Sequence, residues 1–566
     1  MDIVGIDLGT TNSLAAVWRD GEARLIENVL GARLTPSVVG VDDDGRILVG
    51  QAAKERLITH PDRTAANFKR HMGTDREVVL GTRPFRPEEL SSFVLRSLKA
   101  DAEAFLGAPV EEAVVSVPAY FSDAQRKATR AAGELAGLRV ERLVNEPTAA
   151  AMAYGLHEAE NESNFLVFDL GGGTFDVSVV ELFDGVMEVR ASAGDNFLGG
   201  EDFTSALVTA FLQHAGILEA DLEPGERSRV RKQAELAKLR LSDAETSEIK
   251  LSLRGREIEW LATRDALEGL TRELCERMRR PVERAMRDSR LQLANLGGVV
   301  LVGGATRMQL VRSLAAKLLG RFPLTRIHPD EAIALGAAIQ AGLKSRDKAL
   351  SEVVLTDTCP HSLGVNVAIV NNTGQVIGHE FSPILERNTV IPASREQSYR
   401  PTHDEQREVK FEVYQGESRR LENNVRLGTV GMPLPPGKAR EKELLVRFTY
   451  DINGLLEVDA RIAGTDVRRT MVIEGNPGLL TRAEIDKRLQ ELETIKVHPR
   501  DQMENRTILA RGERIFEESL GGVRARVSRL LEKFEAVLAR QEPREIEIAR
   551  KELIRELDRI DGGTPW

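Results

Sequence analysis

Apolar residues along the first 346 positions follow two alternating rhythms. Short runs of strand length, such as those beginning at Ile3, Ala113 and Gly298, are separated by stretches with apolar positions at helical spacing. The helical stretches cover Glu88 to Leu106, Ser122 to Ala136, the region around Arg229 to Leu241, and Arg264 to Leu293, with further helices from Arg307 and Pro329. Strands alternating with helices predict an α/β domain over 1–346. One pattern occurs twice: IVGIDLGTTNSLAAV from Ile3 to Val17 and FLVFDLGGGTFDVSVV from Phe165 to Val180. Each copy reads as an apolar strand, Asp-Leu-Gly, a turn of Gly and Thr, and a second apolar run, so the chain contains a duplicated β-hairpin. Walker A and Rossmann loops lead from strand into helix, and the strand formers after these glycines argue against both.

The pattern then changes. Val353, Val354, Leu355, Thr356 and Asp357 form a short apolar stretch after a polar segment and read as a linker spanning 347–358. From Ser362 to Ile473 short alternating strands are punctuated by turn signals at Asn371 to Gly374, Pro433 to Gly437 and Asn453 to Gly454, as in an all-β sandwich over 359–476. The stretch 477–566 holds 18 basic and 18 acidic residues in 90, with Ile485, Leu489, Leu492, Val527, Leu530, Leu531 and Phe534 at helical spacing. This predicts an exposed helical region.

Composition narrows the function. A chain of 566 residues accommodates three to four domains at roughly 150 residues each. A formal charge of -10 supplies no basic field for nucleic acid. Aromatics are only 5%, which favours aliphatic contacts over stacking. Cys275 and Cys359 have neither disulfide-framework nor zinc spacing. Met1 and Asp2 lead straight into a strand, and no run nears ~18 apolar residues, so the expectation is a cytoplasmic protein with no membrane span.

Phosphate needs backbone amides at close range, which glycine-rich turns give without Cβ obstruction. Gly9, Thr10 and Thr11, followed by Asn12, form one such turn, and Gly171, Gly172, Gly173 and Thr174 form its copy. A single such turn is often only a tight hairpin, and the duplication is what points to a polyphosphate held from two sides. Asp7, Asp169 and Asp176 flank the turns and would repel phosphate unless a hard cation intervened, which implies Mg²⁺ held largely through waters. A third turn, in VVLVGGATRM from Val299 to Met308, places Gly303 and Gly304 where an adenosine could approach.

These motifs are similar to those of the sugar kinase, seventy-kilodalton heat-shock and actin superfamily. NFKR at Asn67 to Arg70, VPAYFSDAQR at Val117 to Arg126, LVNEPTAAAMAY at Leu143 to Tyr154, DNFLGGED at Asp195 to Asp202 and CPHSLG at Cys359 to Gly364 closely resemble the DnaK-type heat-shock chaperones. The resemblance covers residues 2 to about 475, and the short nucleotide domain and modest tail look most like the HscC-type bacterial branch. It implies an actin-like, ribonuclease H-like duplicated ATPase domain, a β-sandwich that binds peptide, and a helical lid. The implied function is an ATP-dependent chaperone in which ATP binding and hydrolysis control release and capture of unfolded polypeptide. A small-molecule kinase and an actin-like filament ATPase are the alternatives within the superfamily; the β region has no role in either.

Residue by residue, the resemblance implies that Gly9, Thr10, Thr11, Asn12, Gly171 to Gly173, Thr174 and Gly199 hold the phosphates of ATP or ADP. It gives Asp7, Asp169 and Asp176 to Mg²⁺, with K⁺ alongside, and to the attacking water, and Lys69 and Glu146 to positioning that water. Without it Lys69 is a solvated surface lysine and Glu146 a helix N-terminal acid. Glu235, Lys238 and Ser242 fall on one helix face and match adenosine contacts, with Arg307, Gly303, Gly304 and Asp330 opposite. Leu239 stands where many relatives place an arginine that stacks on adenine. Val365, Tyr399, Val409 and Phe411 match the client pocket, and Ala368 and Thr402 the arch over it; read alone, Val365 and Val409 are ordinary core. Tyr399 departs from the usual phenylalanine. Pro118, Arg126, Val353, Val354, Leu355 and Asp357 match positions relaying the nucleotide state. Hydrophobic polypeptide clients and a J-domain co-chaperone are the implied partners. The segments Met72 to Glu88 and Asp243 to Arg256 are shorter than in most relatives, which argues against the usual nucleotide-exchange factor.

Overall fold

The computed structural model describes residues 2–155, 163–183, 186–324, 326–345, 354–371, 375–451, 454–473 and 499–560. The chain divides into two compact units, one of Met1–His361 with Arg387–Ile391, the other of Ser362–Glu386 with Pro392–Trp566.

In the first unit the duplicated hairpins become the centres of two six-stranded sheets. Ile3–Asp7 pairs antiparallel with Asn12–Arg19 and parallel with Glu112–Val117. Ser163–Leu170 likewise pairs antiparallel with Phe175–Phe183 and parallel with Gly298–Val302. Each hairpin continues into a third antiparallel strand, Glu22–Ile26 in one sheet and Val186–Asp195 in the other. The repeat is thus one of topology as well as of sequence. Two small-residue helices, Glu146–Ala153 and Ala332–Lys344, pack on each other and on strands of these sheets. They share a core with Val114, Val144, Val167 and Val300, and a helix apolar on all sides belongs there. The fit is close: a Cβ on Gly336 would meet the Ala149 carbonyl oxygen at 1.8 Å, and one on Gly5 the Ala338 nitrogen at 2.3 Å.

Three elements differ from the sequence expectation. The stretch Arg264 to Leu293 is two helices, Arg264–Leu270 and Arg272–Ser289, because Thr271 leaves helical backbone at φ -108, ψ 13 and its hydroxyl turns back to the Leu267 carbonyl. Between the predicted helices stands an unanticipated hairpin, Thr246–Leu253 with Arg256–Thr263, turning through Arg254 and Gly255 at positive φ. Finally, Val354–Thr358 is a strand, added parallel to Val186–Asp195 through Val186 with Val354, Met187 with Leu355 and Glu188 with Thr356.

The second unit holds two four-stranded antiparallel sheets. The first runs Val376–Leu385, Leu363–Val370, Glu408–Gln415, Val425–Pro433; the second runs Ala393–Tyr399, Leu444–Tyr450, Leu456–Ile462, Arg468–Ile473. Leu363, Val365, Val413, Met432, Val446, Phe448 and Val458 are buried at alternate strand positions. Three helices, Met503–Glu518, Gly521–Arg540 and Pro543–Ile560, share a core of Ile515, Val527, Phe534, Leu538, Leu553 and Leu557. Among the described residues no helix is long and apolar enough to cross a membrane.

Candidate functional site

The ends of the two hairpins bring Asp7, Asp169 and Asp176 into one buried cluster with Glu146 at the start of its helix. Asp7 accepts from the Ser116 hydroxyl at 2.9 Å, and Asp176 accepts from the Tyr120 backbone N–H at 3.2 Å. A buried cation serves the group: Lys69 Nζ donates to Glu146 Oε1 at 3.0 Å, 5.5 Å from the centre of the Phe121 ring. Lys69 is only 4% exposed, so the sequence alternative of a solvated lysine is wrong. Phe68 and Met72 bury this short segment on either side. Burial first, then the Glu146 charge, raises the Asp7 carboxyl to about 7 and that of Asp176 to about 8. The same causes raise Asp169 well above the carboxylate range.

The glycine turns crowd together beside this cluster. A Cβ on Gly172 would lie 1.9 Å from Thr11 Oγ1, joining the two copies, and one on Gly199 would lie 2.4 Å from the Gly173 nitrogen. The second turn is fastened to the helix Gly200–Ala215, whose Gly200 and Glu201 N–H groups donate to the carbonyls of Gly171 and Gly172 at 2.9 Å. Thr10 and Thr174 are buried, and Ser37 braces the first turn by donating to the Gly9 carbonyl at 2.7 Å. Asn12 begins its strand opposite Pro36.

Of the expected nucleoside residues, Lys238 is buried, donating to the Gly200 carbonyl at 2.9 Å and to Thr204 Oγ1 at 2.7 Å. Glu235 and Ser242 are half-buried and Leu239 is exposed. Gly303, at φ 82, lies against Leu170, and Gly304 faces Asp330, whose carboxylate stands 3.6 Å from Arg307.

The expected relay positions converge on Asn145. Arg126 donates to its side-chain oxygen at 2.6 Å and also to the Ala119 carbonyl, while the Asn145 amide donates to Asp357. Pro118 closes the strand before Tyr120 and accepts from the Phe121 N–H. Sequence reasoning missed Asn145, although it stands beside Glu146 in the motif already singled out. Val353 lies outside the described residues; Val354 and Leu355 stand in the strand paired with Val186–Asp195.

In the second unit Val365 and Phe411 are buried, Val409 is half-buried, and the Tyr399 ring packs against that of Phe411 at a tilt of 49°, with ring centres 5.7 Å apart. The Tyr399 hydroxyl is 3.1 Å from Ser382 Oγ, so the extra oxygen relative to phenylalanine has a partner. Burial raises the phenol to about 12. Ala368 pairs with His379, and Thr402 is held to Gln406 through its N–H and hydroxyl.

The Hsp70 protein family matches residues 3–82 and 75–560 of this chain. Chaperone protein DnaK of Thermotoga neapolitana is 42% identical over 495 residues, covering 84% of this chain and 80% of that protein. DnaK of Thermotoga maritima matches with the same identity and coverage. The chain belongs to the Hsp70 family. It is a nucleotide-binding ATPase and, more particularly, an ATP-dependent molecular chaperone.

Proposed function

We propose that ATP lies between the two glycine turns of an actin-like duplicated domain and that its hydrolysis controls capture of extended hydrophobic polypeptide in the β-sandwich, with the helices as lid. The observation that carries this is the buried Lys69–Glu146 pair amid three further acids, between two turns in which a Cβ on Gly9 or on Gly172 would collide with its neighbours. Glycine amides and the hydroxyls of Thr10, Thr11 and Thr174 would bind the phosphates, and Lys69, oriented by Glu146, would hold the water. Lys238 and Ser242 would sit under the nucleoside, with Arg307 and Asp330 across from them.

The residues fit a hard cation. Four acids share one lysine, and the buried Asp169 Oδ2 and Thr11 Oγ1 have no hydrogen-bond partner. Asp7, Asp169 and Asp176 would hold Mg²⁺ largely through waters. When bound, the ion would supply charge neutralisation for phosphoryl transfer.

Client would occupy the region of Val365, Tyr399, Val409 and Phe411, under Ala368 and Thr402. A J-domain co-chaperone, a cytoplasmic setting and membership of the HscC-type branch complete the proposal. Single-turnover ATP hydrolysis with and without an aliphatic peptide and a J-domain protein tests it, with stimulation expected from each. Thr174→Ala is expected to slow hydrolysis about 10²-fold with ATP affinity within a few-fold of wild type. Wild-type turnover in that variant would remove the phosphate assignment.

A further inference from the structure

Strands Leu363–Val370 and Glu408–Gln415 are sheet neighbours, yet they pair over three residues only: Leu363 with Gln415, Gly364 with Tyr414 and Val365 with Val413. The ladder stops at Asn366. There the Glu412 backbone N–H donates to Asn366 Oδ1 at 2.8 Å, so a side-chain oxygen takes a donor that a backbone carbonyl would otherwise take. Both chains nevertheless continue as strands. The first stays paired with Val376–Leu385 as far as Val370 with Val376, and the second with Val425–Pro433 as far as Glu408 with Pro433. Each keeps its far edge. The near edges, Val367–Val370 and Glu408–Phe411, face the interruption, and among the described residues no backbone hydrogen bond joins them.

Two facing strand edges with unused N–H and C=O groups form a seat for a third, extended chain. The side chains suit an apolar one. Strand alternation puts Val367 and Ile369 on the face of buried Val365, and Val409 and Phe411 on the face of Val413. Continuing the interrupted register would set Val367 opposite Phe411 and Ile369 opposite Val409. The sequence reading named Val365, Val409 and Phe411 but neither Val367, Ile369 nor Asn366.

We propose that Asn366 is a positioning residue for client binding: its side chain ends the ladder after Val365 and so keeps the edge Val367–Val370 free to pair with the backbone of an extended aliphatic polypeptide. This rests on the assignment of the client groove to Val365, Val409 and Phe411. Asn366→Val removes the acceptor and puts a strand former in its place, so the ladder can zip onward and fill the seat. Asn366→Asp keeps an acceptor for the Glu412 N–H.

The test measures the affinity of the full-length protein, with ADP, for a labelled heptapeptide rich in Leu and Val. Asn366→Val is expected to bind about tenfold or more weakly, as the loss of two or so backbone hydrogen bonds requires, and Asn366→Asp within about threefold of wild type. Hydrogen exchange at the Val367–Val370 amides should slow on peptide binding in wild type, and without peptide in Asn366→Val. Should the valine variant not fold, Asn366→Ala, which removes the acceptor without adding bulk, replaces it in the comparison. Wild-type affinity in the variant lacking the acceptor, or equal loss in the Asp variant, overturns the role of Asn366. Val409→Trp separates the two readings: if it abolishes binding while the Asn366 variants do not, only Asn366 is misassigned, and if it too binds normally, the groove itself is.

Discussion

Lys69 condenses the chemistry of the nucleotide unit into one side chain. Its ammonium lies 3.0 Å from Glu146 and is the first-line counter-charge for a cluster in which burial and mutual repulsion raise Asp7, Asp169 and Asp176. Lys69→Ala is expected to lower single-turnover hydrolysis about 10²-fold or more, because an oriented donor at the reacting centre is lost. It should also destabilise the nucleotide-free protein, since leaving one partner of a buried pair behind costs about 3–5 kcal/mol, and Mg²⁺ with ATP should recover part of that. Rapid-quench kinetics and thermal unfolding with and without Mg²⁺-ATP check both arms; normal turnover in the variant refutes the assignment. The three aspartates were legible in the sequence because the hairpin is repeated around them. Their partners were not: Ser116 reaches Asp7 across 109 positions, and the Tyr120 N–H reaches Asp176 across 56, distances that only the sheet pairing closes.

Among elements, the helix Pro224–Arg240 illustrates what periodicity conveys and what it omits. The face carrying Glu235, Lys238 and Ser242 was readable from spacing, but Lys238 turns out to be a strut into the Gly200 turn, lowered in basicity by burial. That role depends on a preceding helix, Gly200–Ala215, whose first carbonyl it meets 38 positions upstream. Leu239, next along, is exposed, and on the proposed nucleoside position it would offer apolar cover without charge. Leu239→Arg is expected to tighten ATP by about two- to fivefold, the value of a cation–π contact at an open site, as read by calorimetry. Unchanged or weaker binding would place the adenine elsewhere. The missed hairpin Thr246–Thr263 is a different failure. Its signal was present, alternating Ile249, Leu251 and Leu253 before an Arg-Gly turn, but charged residues interleave it and the stretch between the two predicted helices carried no assignment. The break at Thr271 had no such signal, because a Thr hydroxyl bonding back one turn is also common inside helices.

At the scale of the whole molecule, the question is how a phosphate event reaches the client. Glu146, which pairs with Lys69, follows directly on Asn145, which receives Arg126 and donates to Asp357. Asp357 stands in the strand Val354–Thr358, whose attachment to Val186–Asp195 is three residues long. On its other side the strand pairs with Val390–Ile391 over two residues, Asp357 with Ile391 and Thr358 with Val390; both ladders are short, so the side-chain tether to Asn145 adds to what decides whether the strand stays. An element of this kind can exist attached or detached, and anything that shifts Asn145 shifts that balance. Asp357→Ala removes a hydrogen bond to a charged group, a contribution of about 1.5–3 kcal/mol, which bounds the lost coupling at roughly 10- to 100-fold. The expected outcome is a protein that binds ATP normally and peptide normally without nucleotide, but in which ATP accelerates peptide release by at least tenfold less than in wild type. Val353→Asp, which puts a charge next in sequence to Val354, should behave alike. Stopped-flow release of a labelled peptide on mixing with ATP measures this. Full acceleration in both variants would mean that the strand carries no signal, and that the Asn145 contacts serve only to hold the nucleotide unit together.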